Sequence, residues 1–170
     1  MRIALQFQAM LENLTKLVPQ GEDFRWYLKL KCSHCGEDSG KWHYLTVEAI
    51  LHFHESPFQE STPLKGGRGS ASLVQRCHLC QRESSIDIIR ESIKPYCAED
   101  SEQFRTMVMF ECRGLEPTAF SPRGGFVAEG AKSGTPFLDV NLLEGDWTEY
   151  DERASQSVGV YDVKHRFIKA

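Results

Sequence analysis

Two short cysteine pairs constrain this chain more than any other feature. Cys32-Ser33-His34-Cys35-Gly36 and Cys77-His78-Leu79-Cys80-Gln81 are C-x-x-C knuckles. Each follows a stretch of alternating hydrophobicity and opens a turn, so each presents two thiols at the end of a strand. Two thiolates three residues apart on a tight turn can face one ion, with backbone N–H groups free to hydrogen-bond the sulfurs. Gly36 suits that turn, because glycine accepts a positive φ without steric cost; Gln81 is less suited. Four cysteine sulfurs at about 2.3 Å complete a closed tetrahedral Zn²⁺ site, with no open position for water or substrate. The 41 residues between the pairs exceed the ~15–20 of ordinary zinc ribbons. Any fold that uses both knuckles must therefore bring together two turns far apart in the chain.

The metal reading stands against two others. The pairs would be redox groups if either sat at a helix N-terminus in a βαβ setting, which lowers a thiol pKa; neither the helix nor that order of elements is visible here. They would be unligated buried thiols if nothing bound them. Iron fits the same four-sulfur cage, since ligand type alone does not separate it from zinc. Four thiolates around a divalent ion carry a formal charge of about −2, which Lys31, Lys41, Arg76 and Arg82 lie close enough in sequence to offset. His34 and His78 sit inside the knuckles and compete poorly with a complete Cys₄ set.

The rest of the chain reads as short strands. Ile3, Leu5, Phe7, Ala9 and Leu11 alternate with polar residues, and period two marks a half-buried strand. The same pattern predicts strands over 24–32, 42–47, 71–77, 84–89, 104–112 and 158–168. Residues 146–154 are the best helix candidate, a short one. Segments 52–63, 65–72 and 121–135 read as loops from their Pro, Gly and polar content. Such a pattern predicts an all-β chain, built as a sandwich or barrel.

A faint repeat refines this. Glu22-Asp23-Phe24-Arg25 precedes a strand ending at Cys32, and Glu102-Gln103-Phe104-Arg105 precedes one ending at Cys112, an offset of 80 residues. It predicts two small antiparallel β units related by pseudo-symmetry: a zinc-binding unit over 1–94 and a related unit without metal over 95–170.

Other candidate groups carry less chemistry. Cys112 alternates with Val108 and Phe110, which predicts a core thiol, and Cys97 has no assigned role. His52 and His54 form H-x-H in a polar loop, and His165 reads as a half-buried strand residue. The Gly-rich run 65–70 lacks the phosphate-loop spacing. Asn13-Leu14-Thr15 is a glycosylation sequon without meaning in a cytosolic protein. Glu144, Asp146, Glu149, Asp151 and Glu152 read as an acidic surface segment. No nucleophile–base motif of the G-x-S-x-G, H-E-x-x-H or deaminase kind is present, so no enzyme activity and no catalytic residue is expected.

Composition bounds the partners. With Lys plus Arg 20 against Asp plus Glu 24, the net charge is −4, which argues against nucleic acid. No apolar run approaches a membrane span, and residues 1–12 lack a signal peptide's apolar core. The expectation is a cytoplasmic monomer, with the nucleus as a second compartment, which binds another protein.

The knuckles in this context resemble a eukaryotic family of CXXC-motif-containing zinc-binding proteins. The matching stretches are GEDFRWYLK, LKGGRGSAS, IKPY, AED, FECRGLEP, FVAEG, SGT, DWTEYDE and SVGVYDV, which together cover nearly the whole chain. The resemblance implies an intracellular protein of two similar β units with one Zn²⁺ held by Cys32, Cys35, Cys77 and Cys80. It implies no enzyme activity. The segment 50–62 is longer than the family pattern, and Cys97 lies outside it. Two functions are therefore expected in order: a non-catalytic zinc-binding protein-interaction module, then a thiol-redox or metal-transfer protein that uses the two knuckles.

Overall fold

The computed structural model describes residues 1–47 and 73–170. The readings for 52–63, 65–72, His52, His54 and 50–62 lie outside the described residues. Among the described residues the chain forms β1 Arg2–Glu12, β2 Leu14–Pro19, β3 Trp26–Cys32, β4 His43–Leu45, β5 Leu73–Arg76, β6 Glu83–Ile89, β7 Arg105–Arg113, β8 Leu115–Ser121, β9 Phe126–Gly130, β10 Pro136–Val140, β11 Trp147–Asp151 and β12 Gln156–Lys169. Two single-turn 3₁₀ segments link β6 to β7, and no α-helix occurs among these residues. The fold is all-β, as the alternation predicts.

The strands form three antiparallel sheets, ordered β11-β12-β1-β7-β6-β5, β10-β9-β2 and β4-β3-β8. Alternation decides which side chains go inward: on β3, Trp26, Leu28, Leu30 and Cys32 are buried while Tyr27, Lys29 and Lys31 are half-buried on the other face. A chain of rings joins the sheets. Phe126 of β9 meets Phe24 edge-on at 4.8 Å, Phe24 meets Trp26 of β3 at 4.8 Å, and Trp26 meets Phe110 of β7 at 6.5 Å. Edge-to-face pairs of this kind contribute about 0.5–1.5 kcal/mol each beyond their burial.

Several expectations differ from the observed topology. The boundary expected between 94 and 95 does not separate one group of strands from another. The six-stranded sheet takes β1, β5 and β6 from one side of it and β7, β11 and β12 from the other, and one hydrophobic cluster runs through all three sheets. The strands related by the 80-residue offset, β3 and β7, lie in different sheets with different neighbours, so that offset does not relate equivalent strands. The helix expected over 146–154 is strand β11 followed by a turn. Trp147 and Thr148 pair with Val160 and Gly159 of β12, and that ladder outweighs a weak local helical preference. Segment 121–135 is also not simply a loop, because β9 runs through it and takes β2 and β10 as neighbours.

Candidate metal centre

The two knuckles meet across two sheets. Cys32 ends β3 in the three-stranded sheet, while Cys77 and Cys80 lie in the turn between β5 and β6, at the edge of the six-stranded sheet. Both turns have the same construction. The Cys32 N–H donates to the Glu37 carbonyl at 2.8 Å, and the Gly36 N–H donates to the Cys32 carbonyl at 2.8 Å. In the second knuckle the Cys77 N–H donates to the Arg82 carbonyl at 3.0 Å, and the Gln81 N–H donates to the Cys77 carbonyl at 3.0 Å. Each turn closes through a positive φ, 78° at Gly36 and 63° at Gln81.

This geometry gathers four sulfurs. Cys32 Sγ lies 3.7 Å from Cys80 Sγ, Cys35 Sγ lies 3.5 Å from Cys77 Sγ, and all four fall within 4.8 Å of one another. None is in a disulfide. A regular tetrahedron with metal–sulfur bonds of about 2.3 Å has edges of about 3.8 Å, so the cluster fits a metal ion of that size. Cys32 and Cys77 are buried, Cys80 is half-buried and Cys35 is exposed, which puts the cluster just under the surface.

The electrostatics favour a cation. The backbone N–H groups of Cys80 and Leu79 aim at Cys77 and hold its thiol down to about 7. The amides of Cys35 and His34 lower Cys32 in the same way. At Cys35 the Glu37 amide also pulls downward, but burial and the three neighbouring sulfurs push the thiol up to about 12. Amides draw charge onto the cluster while the sulfurs resist sharing it, and a divalent cation relieves that conflict.

The surroundings differ somewhat from the sequence reading. Arg82 donates from Nη1 to His34 Nδ1 at 3.0 Å, linking the knuckles and occupying one ring nitrogen of His34. Lys31 pairs with Glu116 at 3.5 Å, and Arg76 and His78 are exposed. Gly114, which has no role in the sequence reading, seats the first knuckle. It lies between β7 and β8 with φ 85°, and its carbonyl accepts the Ser33 N–H at 2.9 Å. A methyl there would collide with Ser84 Oγ and press on His34 Nε2 at 3.2 Å. Its signal is a glycine between two alternating runs in FECRGLEP.

The remaining candidates fall elsewhere. Cys112 is buried in β7, and burial raises its thiol to about 12. Cys97 is half-buried, and its N–H donates to the Asp100 carboxylate at 3.0 Å. His165 accepts the Phe120 N–H at 3.3 Å. Of the acidic segment, Glu144, Asp146, Glu149 and Glu152 stay at the surface, but Asp151 is fully buried. Asp151 accepts from the Ser133 and Thr135 hydroxyls and from the Arg153 and Ala154 amides. The Ser133 hydroxyl, then the amides and Thr135, hold its carboxyl below the usual range.

Comparison with known proteins agrees with the cluster. The family described as CXXC motif containing zinc binding protein, eukaryotic, matches residues 4–168. Relatives carrying that description include one from Xenopus laevis, 62% identical over 168 residues (99% of this chain and 98% of the relative), and one from Homo sapiens, 58% identical with the same coverage. A crystal structure of C1orf123 superposes with a TM-score of 0.91 at 58% identity and covers 100% of both chains. A hypothetical protein from Plasmodium falciparum shares the fold at a TM-score of 0.83 and 21% identity, covering 99% of each chain. With the family matched over almost its full length, the chain belongs to the eukaryotic CXXC motif containing zinc binding proteins.

Proposed function

We propose that Cys32, Cys35, Cys77 and Cys80 together hold one Zn²⁺ as a structural clamp, and that the chain is a non-catalytic module that works by binding another protein. The observation that carries this is the origin of the four sulfurs: two from the end of β3 and two from the β5–β6 turn, in different sheets. Bound zinc supplies only charge neutralisation and four bonds, because a four-thiolate set leaves no coordination position for substrate. The cavity beside Cys32 and Cys77 holds about 100 Å³, lined by Ser84 and Gln75 among others. That volume suits a cluster of waters and is smaller than the ~300 Å³ of ordinary small-molecule sites. The proposal extends to an intracellular monomer that binds neither nucleic acid nor membrane. No helix among the described residues is long and apolar enough to cross a membrane.

The test is metal removal. The purified chain should carry one zinc, and Cys77→Ser with Cys80→Ser should carry none. Structural zinc contributes on the order of 10 kcal/mol in isolated peptides; the larger core here retains some of the fold, so the metal-free protein should melt more than about 10 °C lower. Hydrogen exchange should accelerate first in β4, β5, β6 and the turn after Cys32, and last in β1, β7 and β12. An unchanged melt for a verified metal-free form would sink the clamp.

A second reading, metal transfer or thiol redox, draws support from the exposure of Cys35 and the partial exposure of Cys80, since exchange needs reachable thiolates. Thiol titration of the zinc-loaded chain separates the two. Protected cysteines favour the clamp, and rapid modification of all four with release of zinc favours transfer.

A further inference from the structure

We propose that the outer face of the three-stranded sheet β4-β3-β8 is a docking surface for an acidic segment of a partner protein. This rests on reading the chain as a protein-binding module and names the chemistry of the partner. The face begins with Arg25 just before β3 and with the alternation of β3, which turns Tyr27, Lys29 and Lys31 away from the core. Tyr44 of β4 lies across from Tyr27, with ring centroids 5.8 Å apart, and Trp42 just before β4 is 42% exposed.

Each ring carries a cation. The Arg123 guanidinium lies 3.9 Å from the centre of Tyr27 and 5.9 Å from that of Trp42. Lys29 Nζ lies 5.1 Å from Trp42, and the Arg25 guanidinium 4.6 Å from Tyr44. Beside them is a hollow of about 600 Å³ lined by Asp23, Arg25, Tyr27 and Arg123 among others. Glycine shapes this wall. Gly125 holds φ 95°, and a methyl there would press on the Phe24 ring at 3.1 Å.

Charge complementarity selects the occupant. The chain as a whole is acidic, at −4, yet among the described residues this face gathers Lys29, Lys31 and Arg123 against Glu116, with Asp23 beside Arg25. Among the described residues, Lys31 meets Glu116 in an ion pair, whereas Lys29 and Arg123 are held by rings instead of carboxylates. A ring fixes a cation's position without neutralising it, so these charges stay available to an incoming carboxylate. An acidic protein segment fits this arrangement better than a single-stranded nucleic acid. Such strands bind by stacking bases on bare aromatic faces, and here the rings already carry the protein's own cations.

The test uses the zinc-loaded full chain and a fluorescein-labelled decapeptide of alternating Glu and Gly. Saturable binding should appear in 50 mM salt and weaken severalfold by 200 mM, because exposed charges are screened over about a Debye length. Trp42 emission should change in step with binding, and Trp42→Phe should remove that change while the peptide still binds. Lys29→Glu with Arg123→Glu should weaken binding at least tenfold, and the milder Lys29→Gln severalfold, with zinc content and melting temperature matching wild type. Absence of saturable binding, equal binding by the charge-reversed variant, or tighter binding of a labelled thymidine decamer would each overturn the proposal. A partner protein retained equally by wild type and by the charge-reversed variant would overturn this surface while leaving the protein-binding reading in place.

Discussion

Gly114 shows how much of the metal centre rests on a residue that touches no metal. It combines a φ of 85° with a contact that leaves no space for a methyl beside Ser84. Gly114→Ala should therefore cost about 2–3 kcal/mol, from left-handed backbone strain of about 1–2 kcal/mol plus the collision. The melting temperature should fall roughly 5–10 °C, and zinc should be lost at a lower chelator concentration than in wild type. The knuckles themselves are legible in the sequence: Gly36 marks a positive-φ turn, and it holds φ 78°. Gln81 looks less suited by residue type. It nevertheless adopts φ 63°, and its Nε2 donates to the His78 carbonyl at 2.8 Å, which offsets some of the strain. At Gly114 the sequence signals a turn but not its purpose, because that lies in a neighbour 30 residues away in the chain, Ser84.

At the scale of elements, long alternation predicts strands well, even across a bulge such as the one at Asp162 of β12, and short alternation does not. β1, β3, β6, β7 and β12 lie where period two places them. The pattern misses β2, β8, β9 and β10, and of these β2 and β10 carry a register shift against β9 at a residue of positive φ: Lys16 at 53° in β2 and Asp139 at 55° in β10. An extra residue of this kind breaks the period that a sequence reading relies on. β11 escapes for another reason. Its DWTEYDE run reads as an exposed acidic segment, but Asp151 is buried and ties β11 to Ser133 and Thr135 of the β9–β10 hairpin. Asp151→Asn should lower the melting temperature by about 3–6 °C at pH 7. Because the folded-state carboxyl is held below its unfolded value, this contribution is present above pH ~4 and is lost as pH falls further. Wild type and variant should therefore converge in acid, and melts from pH 7 to pH 3 would check this.

For the molecule as a whole, acid acts on histidine before it acts on Asp151. His43 faces inward on β4, and among the described residues neither of its ring nitrogens has a hydrogen-bond partner. Burial, with the Lys41 charge, holds its pKa below the ordinary value, and burial does the same to His165. The unfolded chain then takes up these protons first, so stability is complete above about pH 6.5 and declines below it. His43→Leu should melt with a shallower dependence between pH 7.5 and 5.5, compared with wild type at equal zinc so that the cysteine site contributes alike to both. A decline as steep in the variant would remove His43 from the account. The sequence by itself determined the strand-forming pattern and the four candidate thiols, because period two and the C-x-x-C spacing are local properties. Only the tertiary structure decided how they combine: that one core joins the two predicted halves, that the four sulfurs meet across two sheets, and that an acidic chain gathers cations over aromatic rings on one face. Those outcomes depend on contacts between residues tens of positions apart, which strand pairing and packing select and local pattern does not encode.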